Sequence, residues 1–228
     1  MTDSDKIPVN EPMFNIPAPA LFAVAALFFI HIARVFLLDG NSDDWLVWLA
    51  SFIPSRFADV PLGSFYTLVS YSLLHGGWSH LINNCVWLVA FGSPVAAALG
   101  GTRFTLFWIV CSVAAALIHF AADPGSIIPM IGASGAVSGM MGAAARAGFR
   151  LRADASTTRT RSSLPTIRRV LSSTSVLVFL LIYLVINVGV GIGEAAMPGL
   201  SSIAWQAHIG GLVAGFLLFS LFLRRSAS

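Results

Sequence analysis

Six polar side chains in an otherwise apolar chain have the types and spacing to do chemistry: His80, Asn83, Asn84, Ser134, Ser138 and His208. Lipid offers no water to a polar group, so side chains of this kind face the protein interior, and ionisable ones are candidates for function. A serine hydroxyl is a weak nucleophile until a base within hydrogen-bond reach takes its proton. A histidine that titrates near neutrality suits that role and can then protonate a leaving amine. The chemistry this allows is acyl transfer, with Ser134 as nucleophile and His208 as general base and acid. Its tetrahedral intermediate carries an oxyanion that needs preorganised donors. The available donors are the backbone around Ser134, Gly132 included, and the side chains of His80 and Asn84. His80 and Asn84 are four residues apart and share a helix face. Asn83 points about 100° away and is the weaker partner. No acidic residue is placed to orient His208, so a Ser–His dyad is expected over a triad.

The elements that must hold these residues are membrane spans. The chain has 228 residues, of which 57% are hydrophobic and 10% charged. Soluble domains carry about 25% charged residues, so most of this surface faces lipid. A hydrocarbon core of about 30 Å takes roughly 20 apolar residues per helix. The sequence predicts six such helices, at about Pro17–Leu38, Ser79–Ala98, Phe104–Ala122, Met130–Ala145, Thr174–Ile192 and Ala204–Leu223. The expected fold is an all-α polytopic bundle over residues 17–223. A cytoplasmic segment, residues 1–16, precedes it, and a short tail, residues 224–228, follows. No cleavable signal peptide, repeat array or soluble second domain is read.

Charge sets the orientation. Arg146, Arg150, Arg152, Arg159, Arg161, Arg168 and Arg169 crowd the loop between the fourth and fifth spans. Arg103, Arg224, Arg225 and Lys6 fall on the same side, while Asp39, Asp43, Asp44, Asp59, Asp123 and Glu194 fall opposite, with Arg34 and Arg56 as exceptions. The positive-inside rule then puts both termini in the cytoplasm of a cell membrane. Topology and anionic lipid account for the basic loop, so no nucleic-acid partner is expected.

With that topology the second, fourth and sixth spans all begin on the non-cytoplasmic side. His80 and Asn84, Ser134 and His208 then lie at one depth, roughly 5–10 Å below the outer helix ends. The fourth span is short, and eleven of the fifteen residues from Ile131 to Ala145 are Gly, Ala or Ser. It should be central and closely surrounded. Gly135 and Gly139 on it, and Ala207, Gly211 and Gly215 on the sixth span, repeat at four-residue spacing, which lets backbones approach closely.

At this point the motifs carry a resemblance. Gly132-Ala133-Ser134-Gly135 resembles the GxSG nucleophile motif of rhomboid intramembrane serine proteases. The segment from His75 to Asn84 resembles their second-helix signature, a histidine followed four residues later by asparagine. Ala207-His208-Ile209-Gly210-Gly211, followed by Gly215, resembles the sixth-helix signature around the base. The resemblance covers roughly Pro17 to Leu223. It implies a serine endopeptidase acting in or near transmembrane helices of single-span membrane proteins. Ser134 and His208 would be catalytic, and His80, Asn84 and the Ser134 amide would form the oxyanion site. It also implies a lateral gate near the fifth span and the Glu194–Trp205 loop, a preference for small residues at the cleavage site, and no cofactor or metal. Two departures stand out. Family members often stack an aromatic residue, four positions after the nucleophile, on the base, and here it is Ser138. The first outer loop lacks the tryptophan–arginine pair of many members.

Two alternatives remain. One is a catalytically silent relative that binds membrane proteins. The other is a small transporter using His80, Asn84 and His208 as a polar path. One depth for all three, and no inverted repeat, argue against transport. Among other polar residues, His75 sits at the site mouth or stabilises a loop, His31 and His119 pack, and Ser126 and Ser138 are small hydrophilic neighbours. Trp45, Trp48 and Phe52 suggest a short helix lying at the membrane surface. Cys85 and Cys111 are small packing residues. The oligomeric state is left open.

Overall fold

Backbone polar groups in lipid must be satisfied within their own segment, so long apolar runs close into helices. The computed structural model describes residues 16–151, 164–196 and 204–224, and its regular elements are helical apart from one isolated β-bridge between Phe52 and Met130. The principal helices are α1 (Ala18–Leu37), α2 (Gly40–Ala50), α3 (Trp78–Leu99), α4 (Gly101–Ala122), α5 (Ser134–Arg146), α6 (Thr174–Ala196) and α7 (Trp205–Phe222). The basic residues Arg152, Arg159, Arg161 and Arg225, with Lys6, lie outside the described residues, as does most of the Glu194–Trp205 loop.

The chain is an all-α, multi-pass membrane protein. Among the described residues five helices are long and apolar enough to cross a membrane: α1, α3, α4, α6 and α7. The sixth expected span is α5, whose 13 residues rise only about 20 Å. It is enclosed by the other helices, and every residue from Gly135 to Arg146 is buried. It packs most extensively on α7, and α4 packs on both. Phe107, Met140 and Phe219 fill the space between these helices with no exposed surface. By contrast, α6 turns Leu177, Val178, Leu181, Ile182, Val185 and Ile186 outward, as a lipid-facing helix does.

The start of α5 differs from the sequence expectation. Met130 to Ala133 are not helical. Met130 exchanges two backbone hydrogen bonds with Phe52 (3.1 and 2.8 Å), and the Gly132 N–H donates to the Tyr71 carbonyl at 3.0 Å. Gly132 has φ +121°, a conformation that an L-residue rarely takes and a helix cannot contain. Ser134 is therefore the first residue of its helix, not one turn inside it.

The loop after α1 is tied down by its charges. Asp39 caps α2, its carboxylate accepting from the Ser42 N–H at 2.7 Å. Trp45 and Trp48 on α2 are exposed, as a surface helix requires, but Phe52 lies beyond its end and is wholly buried. Arg56 lies over the Trp48 ring, 5.0 Å from its centroid, and donates to the carbonyls of Trp48, Leu49 and Ser51. No adjacent tryptophan–arginine pair is present, and this through-space pair anchors the loop. Arg34, the other charge exception, is buried. It forks onto Asp43 (2.7 and 3.0 Å) and donates to the His75 carbonyl at 2.8 Å, joining α1, α2 and the approach to α3.

Candidate active site

Opening α5 at Ser134 has a chemical consequence. The first N–H groups of a helix have no intrahelical partner, and they carry the positive end of its dipole. The amide of Ser134 is one of them. Its hydroxyl stands half-buried at the edge of a cavity of about 630 Å3, lined among others by Tyr71, His80, Asn84, His119, Met130 and His208.

His208 lies one turn into α7, and its Nε2 is 2.8 Å from the Ser134 Oγ. The other ring nitrogen, Nδ1, is 2.8 Å from the Asn187 Oδ1 on α6. Asn187 was not singled out from the sequence, although an asparagine within an apolar span is a signal in itself. Its Nδ2 donates to the Tyr183 carbonyl at 2.8 Å. The Tyr183 hydroxyl donates to the Ser138 Oγ at 2.6 Å and approaches the His208 carbonyl at 3.5 Å. No ring at position 138 stacks on His208. Side chains of α6 surround it instead, and Ser138 is a hydrogen-bond partner in that arrangement.

His80 and Asn84 stand in the first two turns of α3 and both line the cavity. Asn84 is buried, and one N–H of its amide donates to the His80 carbonyl at 3.0 Å, leaving a second N–H on the same nitrogen. Asn83 lines the cavity as well, so it is not turned away from the site. His119, expected to pack, and Ser126 also line it. Gly132 is not a donor, because its N–H is committed to Tyr71. Its contribution is space, since a Cβ there would fall 2.7 Å from the His80 Nε2. Among the described residues no group of three or more His, Cys, Asp or Glu side chains could hold a metal ion.

The two glycine rows meet. A Cβ on Gly211 would run into the carbonyl oxygen of Gly135, and one on Gly215 into that of Gly139. These contacts bring the α5 and α7 backbones together beside Ser134 and again about one turn further along, which on α7 is about one and two turns beyond His208.

His75 precedes α3 and is almost fully buried, with its Nε2 accepting the Ala133 N–H at 3.5 Å and its ring edge-on to His80. It thus supports the turn that presents Ser134. Burial pushes its pKa down from 6.5 to about 3, and the charges of His80, His31 and Arg34 act in the same direction. The unfolded chain therefore binds a proton that the folded protein refuses between those two values. The stability this group contributes is complete above pH 6.5 and is lost as pH drops toward 3, by up to about 1.4 kcal/mol per pH unit. Thermal melts in detergent across that window should show a slope at least this large, and His75→Phe should reduce it by about one proton's share. His31, for its part, packs edge-on to Trp78 at 4.7 Å.

The chain is similar to known proteins. The chain is 28% identical over 188 residues to "Rhomboid protease GluP" of Bacillus subtilis (strain 168), covering 82% of this chain and 32% of that protein. It is 28% identical over 163 residues to "RHOMBOID-like protein 5" of Arabidopsis thaliana, covering 71% of this chain and 46% of that protein. It is also 26% identical over 150 residues to "Rhomboid-related protein 1" of Caenorhabditis elegans, covering 60% of this chain and 41% of that one. The chain spans less than half the length of these relatives. A family model, the rhomboid domain, matches residues 62–225. With a match over most of its length, the chain belongs to the rhomboid family.

Proposed function

We propose that this protein is an intramembrane serine endopeptidase that hydrolyses peptide bonds in or near transmembrane helices of single-span membrane proteins. The observation that carries the reading is the 2.8 Å contact between the Ser134 Oγ and the His208 Nε2, inside a polar cavity of an otherwise lipid-facing bundle. A nucleophile and base at that distance meet the geometric requirement for general-base activation.

In the proposed reaction the Ser134 Oγ attacks the scissile carbonyl carbon while its proton moves to the His208 Nε2. The carbonyl electrons collect on oxygen, facing the Ser134 N–H and the side chains of His80 and Asn84. As the intermediate collapses the C–N bond breaks, and the amine leaves with the proton from His208. Water, deprotonated by the same imidazole, then releases the acyl group and restores Ser134. No cofactor enters these steps. A hydrogen-bonded substrate helix hides its carbonyls, so it must unwind to react. Small residues at the cleavage position suit the glycine-rich surroundings. We place the protein in a bacterial cell membrane, and the charge asymmetry supports both termini in the cytoplasm, with the cavity opening on the opposite side.

The test uses purified protein in detergent, a serine-directed fluorophosphonate and a reporter carrying one transmembrane segment. Labelling and cleavage by the parent, both abolished in Ser134→Ala, are the expected result. Cleavage that survives Ser134→Ala sinks the mechanism. A folded parent that neither labels nor cleaves across diverse segments favours a silent, client-binding relative instead.

A further inference from the structure

The hydrogen bonds around Asn187 fix more than its own position. A backbone carbonyl can only accept, so the side-chain atom of Asn187 that meets the Tyr183 carbonyl at 2.8 Å must be its NH2 group. The Oδ1 is then the atom turned to His208, 2.8 Å from Nδ1. An amide oxygen also can only accept, so Nδ1 must carry the ring proton. In the neutral imidazole this leaves Nε2 bare, and Nε2 is the atom facing the Ser134 hydroxyl at 2.8 Å. A base needs that lone pair.

The chain of assignments starts from a backbone atom whose role is not a matter of choice, and it ends at the nucleophile. Nothing else among the described residues is hydrogen-bonded to the His208 Nδ1. Ser138, the position from which a ring would have held the imidazole, instead meets the Tyr183 hydroxyl. Tyr183, Asn187 and Gly191 recur every four residues and so form one face of α6. Gly191 lets that face close on α7, because a Cβ there would strike the Trp205 indole.

We propose that Asn187 is a positioning residue for the reaction: its side-chain oxygen holds His208 in the Nδ1–H tautomer with Nε2 aimed at Ser134. This rests on the Ser134–His208 reading above. The base is thus set by a helix that contributes no reacting atom. The Ser–His dyad is oriented by a third side chain that is neutral and passes no proton.

The test has a direct arm and a kinetic arm. In the full-length parent labelled with 15N-histidine in detergent, ring shifts give the tautomer of His208, assigned by the signals missing from His208→Ala. The expected result is protonated Nδ1 and bare Nε2. The opposite tautomer in the parent overturns the proposal, and this measurement needs no folded Asn187 variant and no activity. Kinetically, Asn187→Leu keeps the branched four-atom shape and removes the acceptor. It should lower kcat by about 10- to 100-fold, as small misplacements of a catalytic group do, with KM within about twofold. Asn187→Asp restores an acceptor at the same atom and should recover most of kcat. An unchanged kcat in Asn187→Leu, a change confined to KM, or equal losses in the Leu and Asp variants would overturn it. If the parent shows the expected tautomer but no turnover, the protease reading fails while the positioning of His208 stands.

Discussion

His208→Ala is expected to fold and melt near the parent temperature, yet to turn over a transmembrane reporter at least about 10^4-fold more slowly. The rate should collapse because the imidazole is the group within reach of the Ser134 hydroxyl, at 2.8 Å. Without it the proton has to leave to water, and the departing amine has no acid. The fold should persist because the backbones of α5 and α7 meet through glycines, not through this side chain. KM should move little, since the ring acts on the reacting atoms. The strongest form of the test is a cycle. Ser134→Ala, His208→Ala and the double variant should all fall to the same residual rate, because nucleophile and base act as one unit. Additive losses would mean that the two residues contribute separately and that the dyad is wrong. A drop in melting temperature with the rate retained would make His208 a packing residue.

The second large effect is on the fold itself. Gly215→Val should prevent accumulation of folded protein or lower its stability by more than about 3 kcal/mol, beyond the usual range for overpacking. The obstacle is the carbonyl of Gly139, which belongs to a helix buried from Gly135 to Arg146. A side chain in that place could rotate away, but a backbone cannot without displacing α5 and with it Ser134. Gly189→Ala supplies the contrast. Nothing lies within 4 Å of a Cβ at that point on α6, so the change should be neutral or stabilising by about 0.5–1 kcal/mol. Equal behaviour of the two variants in thermal melts would remove the glycine contact from the account of stability.

Much of this was legible in the sequence, and the gaps have physical causes. The helical class and most span limits follow from apolar run length. That Ser134, His208, His80 and Asn84 meet at one cavity could be read because each falls near a helix start at the same end of the bundle. The true beginning of α5 was hidden. Met130 to Ala133 are as apolar and small as the helix after them, and only the partners Phe52 and Tyr71, distant in sequence, show why the chain stays extended there. The same long-range bond removes Gly132 from the donors. Asn187 was missed for a different reason. It stands alone in an apolar stretch with no motif around it, and its meaning depends on which face of α6 meets α7. That register is set by packing, which periodicity alone does not reveal.

The pairing of Phe52 with Met130 reaches beyond local geometry. It ties the loop after α2 to the turn that carries Ser134. On α2, Trp45 and Trp48 are exposed, and such residues settle at the boundary between headgroups and acyl chains. Ser134 is thereby referenced to that boundary and not to the middle of the bilayer. When the surrounding bilayer thickens, the lipid-facing helices can tilt or draw lipid toward them. The distance from interface to serine stays fixed by two backbone hydrogen bonds. The protein carries its own depth gauge, and under the proposed function a substrate's cutting point would be measured from the membrane surface.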